Sequence, residues 1–262
     1  MVYIAYLNDP FIDPLLYLNE YYGITQDPET KDFIIIMKYY KSDLRSYITK
    51  DFYNIEWNKK LKILLYIAKG LNYIHSQNII HRDLHSGNIL YENENDVIIS
   101  DLGISKSAME STCDEKCYGI ISYMAPEILQ KKEYTISSDI YSYSMIMYEF
   151  IMGKIPFRDQ KHDIYLKIKI CDGFRPSITT NAPGGYIKLM QECWNSDPNK
   201  RPKAADIVKR LSDILRNELN DPTEITPINL IMENIKSTET TTEITPINNL
   251  KSFETSASYS GN

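Results

Sequence analysis

From Trp57 to His75, apolar residues fall at Leu61, Leu64, Leu65, Ala68 and Leu71. That spacing predicts a long helix with one apolar face. Upstream the period is different. Tyr21-Tyr22-Gly23-Ile24-Thr25 and Phe33-Ile34-Ile35-Ile36-Met37 flank Gln26 to Asp32, whose Asp27-Pro28 pair favours a turn, and the two runs predict a hairpin. The second run is apolar throughout, which predicts a strand buried on both faces. Ile89-Leu90-Tyr91 and Val97-Ile98-Ile99 predict a second hairpin around the polar turn Glu92 to Asp96, and such a hairpin brings Asn88 and Asp101 to one end. Ser138 to Met152 is apolar or aromatic almost all round, the pattern of a central buried helix, with Gly153 and Pro156 to end it. Ile187 to Trp194 predicts a short helix. Another is predicted to start at Pro202 and to run through Ala204, Ile207, Val208, Leu211 and Leu215.

The two ends of the chain read differently. Up to Tyr22, the turn-forming Asn8-Asp9-Pro10 and Asp13-Pro14 and the run Leu15-Leu16-Tyr17-Leu18 fix no single element. After Asn217 the periodicity stops, and the heptapeptide Thr-Glu-Ile-Thr-Pro-Ile-Asn occurs at 223–229 and again at 242–248. Two copies are too few for a solenoid. A short docking motif and a duplication without function both fit them. Thr, Ser and Glu dominate residues 218–262, so this tail is expected to be disordered.

At 262 residues, 43% hydrophobic and 24% charged, the composition is that of a globular chain large enough for two unequal lobes. The net charge of −6 is uneven. Residues 218–262 carry seven acids against Lys236 and Lys251, which leaves the body near neutral. A near-neutral body without a basic stripe argues against a nucleic-acid partner. No apolar run approaches the roughly 18 residues of a membrane helix, and Met1-Val2-Tyr3-Ile4 lacks the basic start of a secretory signal, so no membrane partner and a cytoplasmic or nuclear location are expected. Cys113, Cys117, Cys171 and Cys193 are expected as free thiols, since no second Cys or His pair complements Cys113 and Cys117 at zinc spacing.

Candidate chemistry is concentrated in His81-Arg82-Asp83-Leu84-His85-Ser86-Gly87-Asn88, followed by Asp101-Leu102-Gly103. An H-R-D-L-x-x-x-N loop offers a carboxylate to take a hydroxyl proton and an amide oxygen to hold a metal, and the later Asp is a second metal ligand. Ala125-Pro126-Glu127, Asp139 and Cys193-Trp194-x-x-Asp197-Pro198-x-x-Arg201-Pro202 complete the set.

Together these motifs resemble the eukaryotic protein kinases, in particular the tyrosine-kinase-like branch, over residues 33 to about 217. The resemblance implies an α+β, two-lobed fold: residues 1–40 as a residual N-lobe and hinge, 41–217 as a mostly helical C-lobe, and 218–262 as the tail. It implies ATP and Mg²⁺ as cofactors and a protein hydroxyl as acceptor, with serine/threonine favoured and tyrosine open. Asp83 would be the base, and Asn88 and Asp101 the metal ligands. Met37 would be the gatekeeper, the backbone of Lys38 and Tyr40 would meet adenine, and Leu90 would floor the base. Arg201 is similar to the family's buried partner for Glu127, and Asp139 to the helix-start Asp that braces the catalytic loop; His81 reads as a packed spacer. Ser105, Ser107, Ser111, Thr112, Tyr118 and Ser122 lie between Asp101 and Glu127, and Arg82 precedes the base, so an upstream kinase acting on Ser111, Thr112 or Tyr118 is a further expected partner.

The chain also departs from the family. Upstream of Lys38 the only glycine is Gly23 and the only basic residue is Lys31, so the Gly-rich loop and the phosphate-binding Lys are missing. A complete N-lobe needs on the order of 55 residues, against the 37 before Lys38, so the expected N-lobe is truncated. His85 stands where serine/threonine kinases carry a Lys, Ile120 where they carry a Thr, and Leu102 where the usual residue is Phe. The alternative to an active kinase is therefore an impaired, pseudokinase-like scaffold, or an incomplete gene product.

Overall fold

A computed structural model describes residues 18–102, 106–107 and 119–222. Expectations for residues 1–17, Ser105, Ser111, Thr112, Cys113, Cys117, Tyr118 and the repeats at 223–229 and 242–248 lie outside the described residues; of Ser107 only the backbone is described.

The first hairpin forms as the pattern predicts. β1 (Tyr21–Gln26) pairs antiparallel with β2 (Phe33–Met37), with a register irregularity at Tyr21 and Gly23. Asp27 builds the turn: its carboxylate accepts the backbone N–H of Glu29 and Thr30 at 2.8 and 2.9 Å, an Asx-type closure. The expected burial of β2 is not found. Phe33 is 76% exposed, and Ile34, Ile35, Ile36 and Met37 are exposed as well. An apolar strand is buried only if neighbours cover both its faces, and among the described residues this sheet has two strands and no cover.

After the exposed Tyr39, the chain turns into the helical lobe. β3 (Ser42–Asp43) leads into α1 (Leu44–Asp51), whose first turn is capped by Asp43 accepting from the Ser46 N–H. α2 (Trp57–Ser76) buries the predicted face through Leu61, Leu64, Ala68 and Leu71. β4 (Ile79–Ile80) follows, then β5 (Ile89–Asn93) and β6 (Asp96–Ile99), the second predicted hairpin. β3 adds to the free edge of β5, and Leu18 forms an isolated parallel bridge to Ile99. β7 (Lys106–Ser107) pairs with β4.

α3 (Pro126–Leu129) precedes the helix at the centre of the lobe, α4 (Ile136–Met152). α4 is buried almost all round: Tyr141, Tyr143, Met145, Ile146, Met147 and Phe150 have no exposed surface. Each such side chain contributes about 1.5–3 kcal/mol relative to leaving it in water. A buried tyrosine hydroxyl usually finds a partner; that of Tyr141 has none among the described residues, while two others do. Tyr143 donates to the Leu64 carbonyl at 2.9 Å, and Tyr186 to the Met147 carbonyl at 2.7 Å, so polar tips tie α4 to α2 and to α6 (Tyr186–Cys193). α5 (Ile164–Cys171) packs on α3, and α7 (Ala204–Asn220) lies along α2. The C-terminal helix starts two residues after Pro202, because Lys203 is extended and serves as its N-cap.

Gly153 ends α4 with φ +66°, and a Cβ there would stand 2.6 Å from the Phe52 ring. Gly153→Ala is expected to cost about 2–3 kcal/mol, from the left-handed backbone and the overpacked ring together. The check is the urea midpoint of unfolding, which should fall at constant m value.

Candidate active site

The loop between β4 and β5 is held from below by one carboxylate. Asp139, in the first turn of α4 and 1% exposed, accepts the backbone N–H of His81 at 2.8 Å and of Arg82 at 3.0 Å. His75 Nε2, at the end of α2, lies 3.0 Å from the same carboxylate. His81 is fully buried: Nε2 donates to the Ser100 carbonyl at 3.0 Å and Nδ1 accepts the Asp83 N–H at 3.3 Å. Its hydrogen bonds make it the packed spacer that the sequence suggests. Arg82 has φ +74°, an uncommon conformation for a non-glycine residue, and its guanidinium lies over the Tyr134 ring at 4.6 Å.

Asp83 and Asn88 meet directly. Asn88 Nδ2 donates to the Asp83 carbonyl at 2.9 Å and reaches its Oδ2 at 3.4 Å. The Asn88 carbonyl accepts both the N–H and the hydroxyl of Ser100, each at 2.9 Å, which draws the neighbouring Asp101 to this end of the β5–β6 hairpin. Asp101 is exposed and also left-handed, with φ +56°. Gly119 closes the other side of Asp83: with φ +111°, a Cβ on it would stand 3.2 Å from Asp83 Oδ1. A narrow crevice beside the Asp83 carboxylate is lined by Gly119, Ile120, Tyr123 and Tyr134.

His85 replaces the expected cation with a neutral donor. Its Nδ1 accepts the Gly87 N–H at 3.0 Å, so the ring proton sits on Nε2, 3.7 Å from Asp83 Oδ1. Burial lowers its pKa, against the opposing pull of Asp83.

Of the residues expected to bind the base, Met37 ends β2, Lys38 and Tyr40 follow it, and Leu90 stands on β5. Leu90 lies opposite Asp43, three residues beyond Tyr40 at the end of the strap 37–40. Lys38 Nζ binds Asp96 at 2.8 Å and lies over the Tyr40 ring, Lys41 binds Glu92 at 2.7 Å, and Tyr40 is buried. These pairs fix the strap to the turn of the β5–β6 hairpin. The Lys38 N–H donates to the Glu20 carbonyl at 3.3 Å, and the Met37 sulfur accepts from Asn19 Nδ2.

Three contributors, Tyr21, Arg45 and Glu149, are not signalled by any local motif. Tyr21 on β1 is near enough to Asp101 that the carboxylate, after burial, raises its phenol pKa. The buried Glu149 and the half-buried Arg45 both bond Ser86 of the loop; Ser86 and Glu149 are 63 residues apart, and only the tertiary fold joins them. Arg201 and Glu127 pair as expected, at 2.6 and 2.8 Å.

The donor set suits Mg²⁺. Both side-chain bonds of Asn88 are donated by Nδ2, so its amide oxygen is what it offers a cation, beside the exposed carboxylate of Asp101. One carboxylate and one amide oxygen, completed by water and phosphate oxygens, is how proteins usually hold Mg²⁺. Among the described residues no group of three or more His, Cys, Asp or Glu forms a metal cluster of another kind.

The model of the family described as "Protein tyrosine and serine/threonine kinase" matches residues 17–211. The serine/threonine-protein kinase STY17 of Arabidopsis thaliana is 32% identical over 162 residues, covering 62% of this chain and 28% of its own length. "Probable serine/threonine-protein kinase roco6" of Dictyostelium discoideum is 33% identical over 219 residues, covering 76% of this chain and 10% of its own length. The chain thus spans between a tenth and somewhat over a quarter of these curated relatives.

Proposed function

Since the chain belongs to the protein tyrosine and serine/threonine kinase family, we propose that its α+β domain transfers the γ-phosphate of ATP to a protein hydroxyl. The observation that carries this reading is the convergence of Asp83, Asn88 and Asp101 at one end of the β5–β6 hairpin, with Asn88 bonded to Asp83. Asp83 orients the acceptor hydroxyl and takes its proton. Asn88 and Asp101 would hold Mg²⁺, which neutralises charge on the phosphates when bound. Met37, the backbone of Lys38 and Tyr40, and Leu90 would hold the adenine. Serine or threonine is the favoured acceptor, in keeping with the printed names of the relatives.

The Cys193-Trp194 and Asp197-Pro198-x-x-Arg201-Pro202 pattern supports the tyrosine-kinase-like branch. We read residues 1–40 as a reduced N-lobe and hinge, 41–217 as the C-lobe and 218–262 as a tail; α7 continues to Asn220 across that last boundary. No helix of the described residues is long and apolar enough to cross a membrane. The free thiols Cys171 and Cys193 fit a cytoplasmic or nuclear protein. An upstream kinase acting on the segment before Gly119 is the proposed regulatory partner.

With Mg-ATP and dephosphorylated casein, the wild-type chain is expected to transfer phosphate. Asp83→Asn should do so at least about 100-fold more slowly, with its thermal midpoint unchanged. Absence of nucleotide binding at millimolar ATP would overturn the reading and leave the scaffold alternative.

A further inference from the structure

Ile35, at the centre of β2, is 51% exposed, and Phe33, Ile34, Ile36 and Met37 on either side of it are exposed too. β1 occupies one edge of β2, and among the described residues the other edge is open. The two outer edges of the hairpin differ. β1 has its register irregularity at Tyr21 and Gly23, and a bulge spoils an edge for further pairing; β2 pairs without a break from Phe33 to Met37. An open, regular, apolar edge takes another strand, whose backbone groups it pairs and whose side chains it covers.

We propose that this edge is a homodimer interface, in which β2 pairs antiparallel with β2 of a second copy of the chain, centred on Ile35, to give a four-stranded sheet in the order β1-β2-β2-β1. The charges at the two ends of the strand identify the occupant. Antiparallel pairing about Ile35 sets Ile35 against itself, Ile34 against Ile36 of the other copy, Phe33 against Met37, and Asp32 against Lys38. All five apolar residues then have an apolar partner across the axis, and each end of the interface carries a pair of opposite charges.

Other arrangements lose this match. A two-fold axis perpendicular to the sheet returns each face to itself, so a residue can oppose only a partner an even number of positions away. The next registers, centred on Ile34 or on Ile36, set Asp32 against Ile36 or Lys38 against Ile34. Parallel pairing of the same edges sets Lys38 against Lys38 and Asp32 against Asp32. Both charged groups can reach across: Asp32 is exposed, and the Lys38 side chain is 39% exposed, with its bond to Asp96 using one of three ammonium donors. The assembly closes at two copies, because each chain uses the same edge and presents only the bulged edge of β1 beyond it. One strand pair buries less than a standard interface, so the dimer is weak and forms with rising concentration.

Sedimentation velocity of the full chain between about 5 and 200 µM should show monomer passing to dimer and to nothing larger. Ile35→Asp and Ile35→Lys each bring like charges together on the two-fold axis, so each alone should stay monomeric over that range, with the far-UV circular dichroism of wild type. Mixed in equal amounts they set Asp against Lys and should form a dimer, which two unfolded chains could not. Asp32→Lys places two lysines together at each end and should raise the association midpoint about tenfold. Amide exchange at residues 33–37 should slow as the wild-type concentration rises. A wild-type chain that is monomeric at about 200 µM would overturn the proposal, and slow exchange at 33–37 in that monomer would assign the edge to another segment of the same chain. Growth beyond a dimer overturns it as well. So does an Asp32→Lys chain that associates as wild type does, or a mixture of the two Ile35 variants that stays monomeric.

Discussion

Replacing Arg201 by alanine is expected to destabilise the chain by about 3–5 kcal/mol, the usual result of removing one partner of a buried ion pair. Nη1 and Nη2 lie 2.6 and 2.8 Å from the two oxygens of Glu127, a bidentate pair. The same guanidinium donates to the carbonyls of Ser137 and Asn195, each at 2.8 Å, and flanks the Tyr141 ring at 5.3 Å. Alanine leaves the buried Glu127 side chain without its bidentate partner and strips two carbonyls of their donor. The pair joins the start of α3 to the turn before α7, so the loss also loosens the segment that leads back to Gly119. The double change Glu127→Gln with Arg201→Met should recover a large part of the loss, since a buried ion pair removed as a unit costs far less than one broken. Urea unfolding checks both variants. A loss below about 1 kcal/mol for Arg201→Ala would show that the pair is solvated rather than buried.

The second large effect is expected at Asp139. Asp139→Ala orphans two buried backbone N–H groups, those of His81 and Arg82, at about 1–3 kcal/mol each, and removes the partner of His75. The loss should be felt in catalysis more than its size suggests. The two N–H groups immediately precede Asp83, and a misplacement on the order of 1 Å there costs about 100-fold in rate. Asp139→Asn keeps one acceptor oxygen and turns an N–H toward the other donor, so it should fall between wild type and alanine. Unfolding and casein phosphorylation measured on the same preparations separate the two losses. An alanine variant that unfolds early yet retains the wild-type rate below its midpoint would remove the bracing role.

The long helices were legible because their patterns are consequences of burial. α2 shows one apolar face, and α4 is apolar nearly all round because other elements surround it. The ends were less legible. α4 begins at Ile136, two residues before the apolar run, because Ser138 accepts the Thr135 N–H and caps the first turn. The apolar run of β2 correctly identified a strand, but a strand's burial is a property of its neighbours, and among the described residues Phe33 to Met37 lack them. At the site, Asp83, Asn88 and Asp101 could be read from spacing because a short local hairpin joins them. The cluster of Arg45, Ser86, Tyr123 and Glu149 could not, since it is assembled from four separate elements and each residue alone looks ordinary. The Nδ1 bond that fixes the His85 tautomer depends on one backbone N–H and leaves no trace in composition.

The uncovered second strand bears on how the protein behaves in bulk. Five consecutive residues without charge, three of them isoleucine, in an extended conformation and, among the described residues, with an open edge, have the makeup of segments that stack into cross-β fibrils. Lys31 and Asp32 stand immediately before this run and Lys38 immediately after it, so stacked copies would bring like charges into register at both borders. The solubility of a concentrated sample is thus expected to depend on a few charges at the rim of the small lobe.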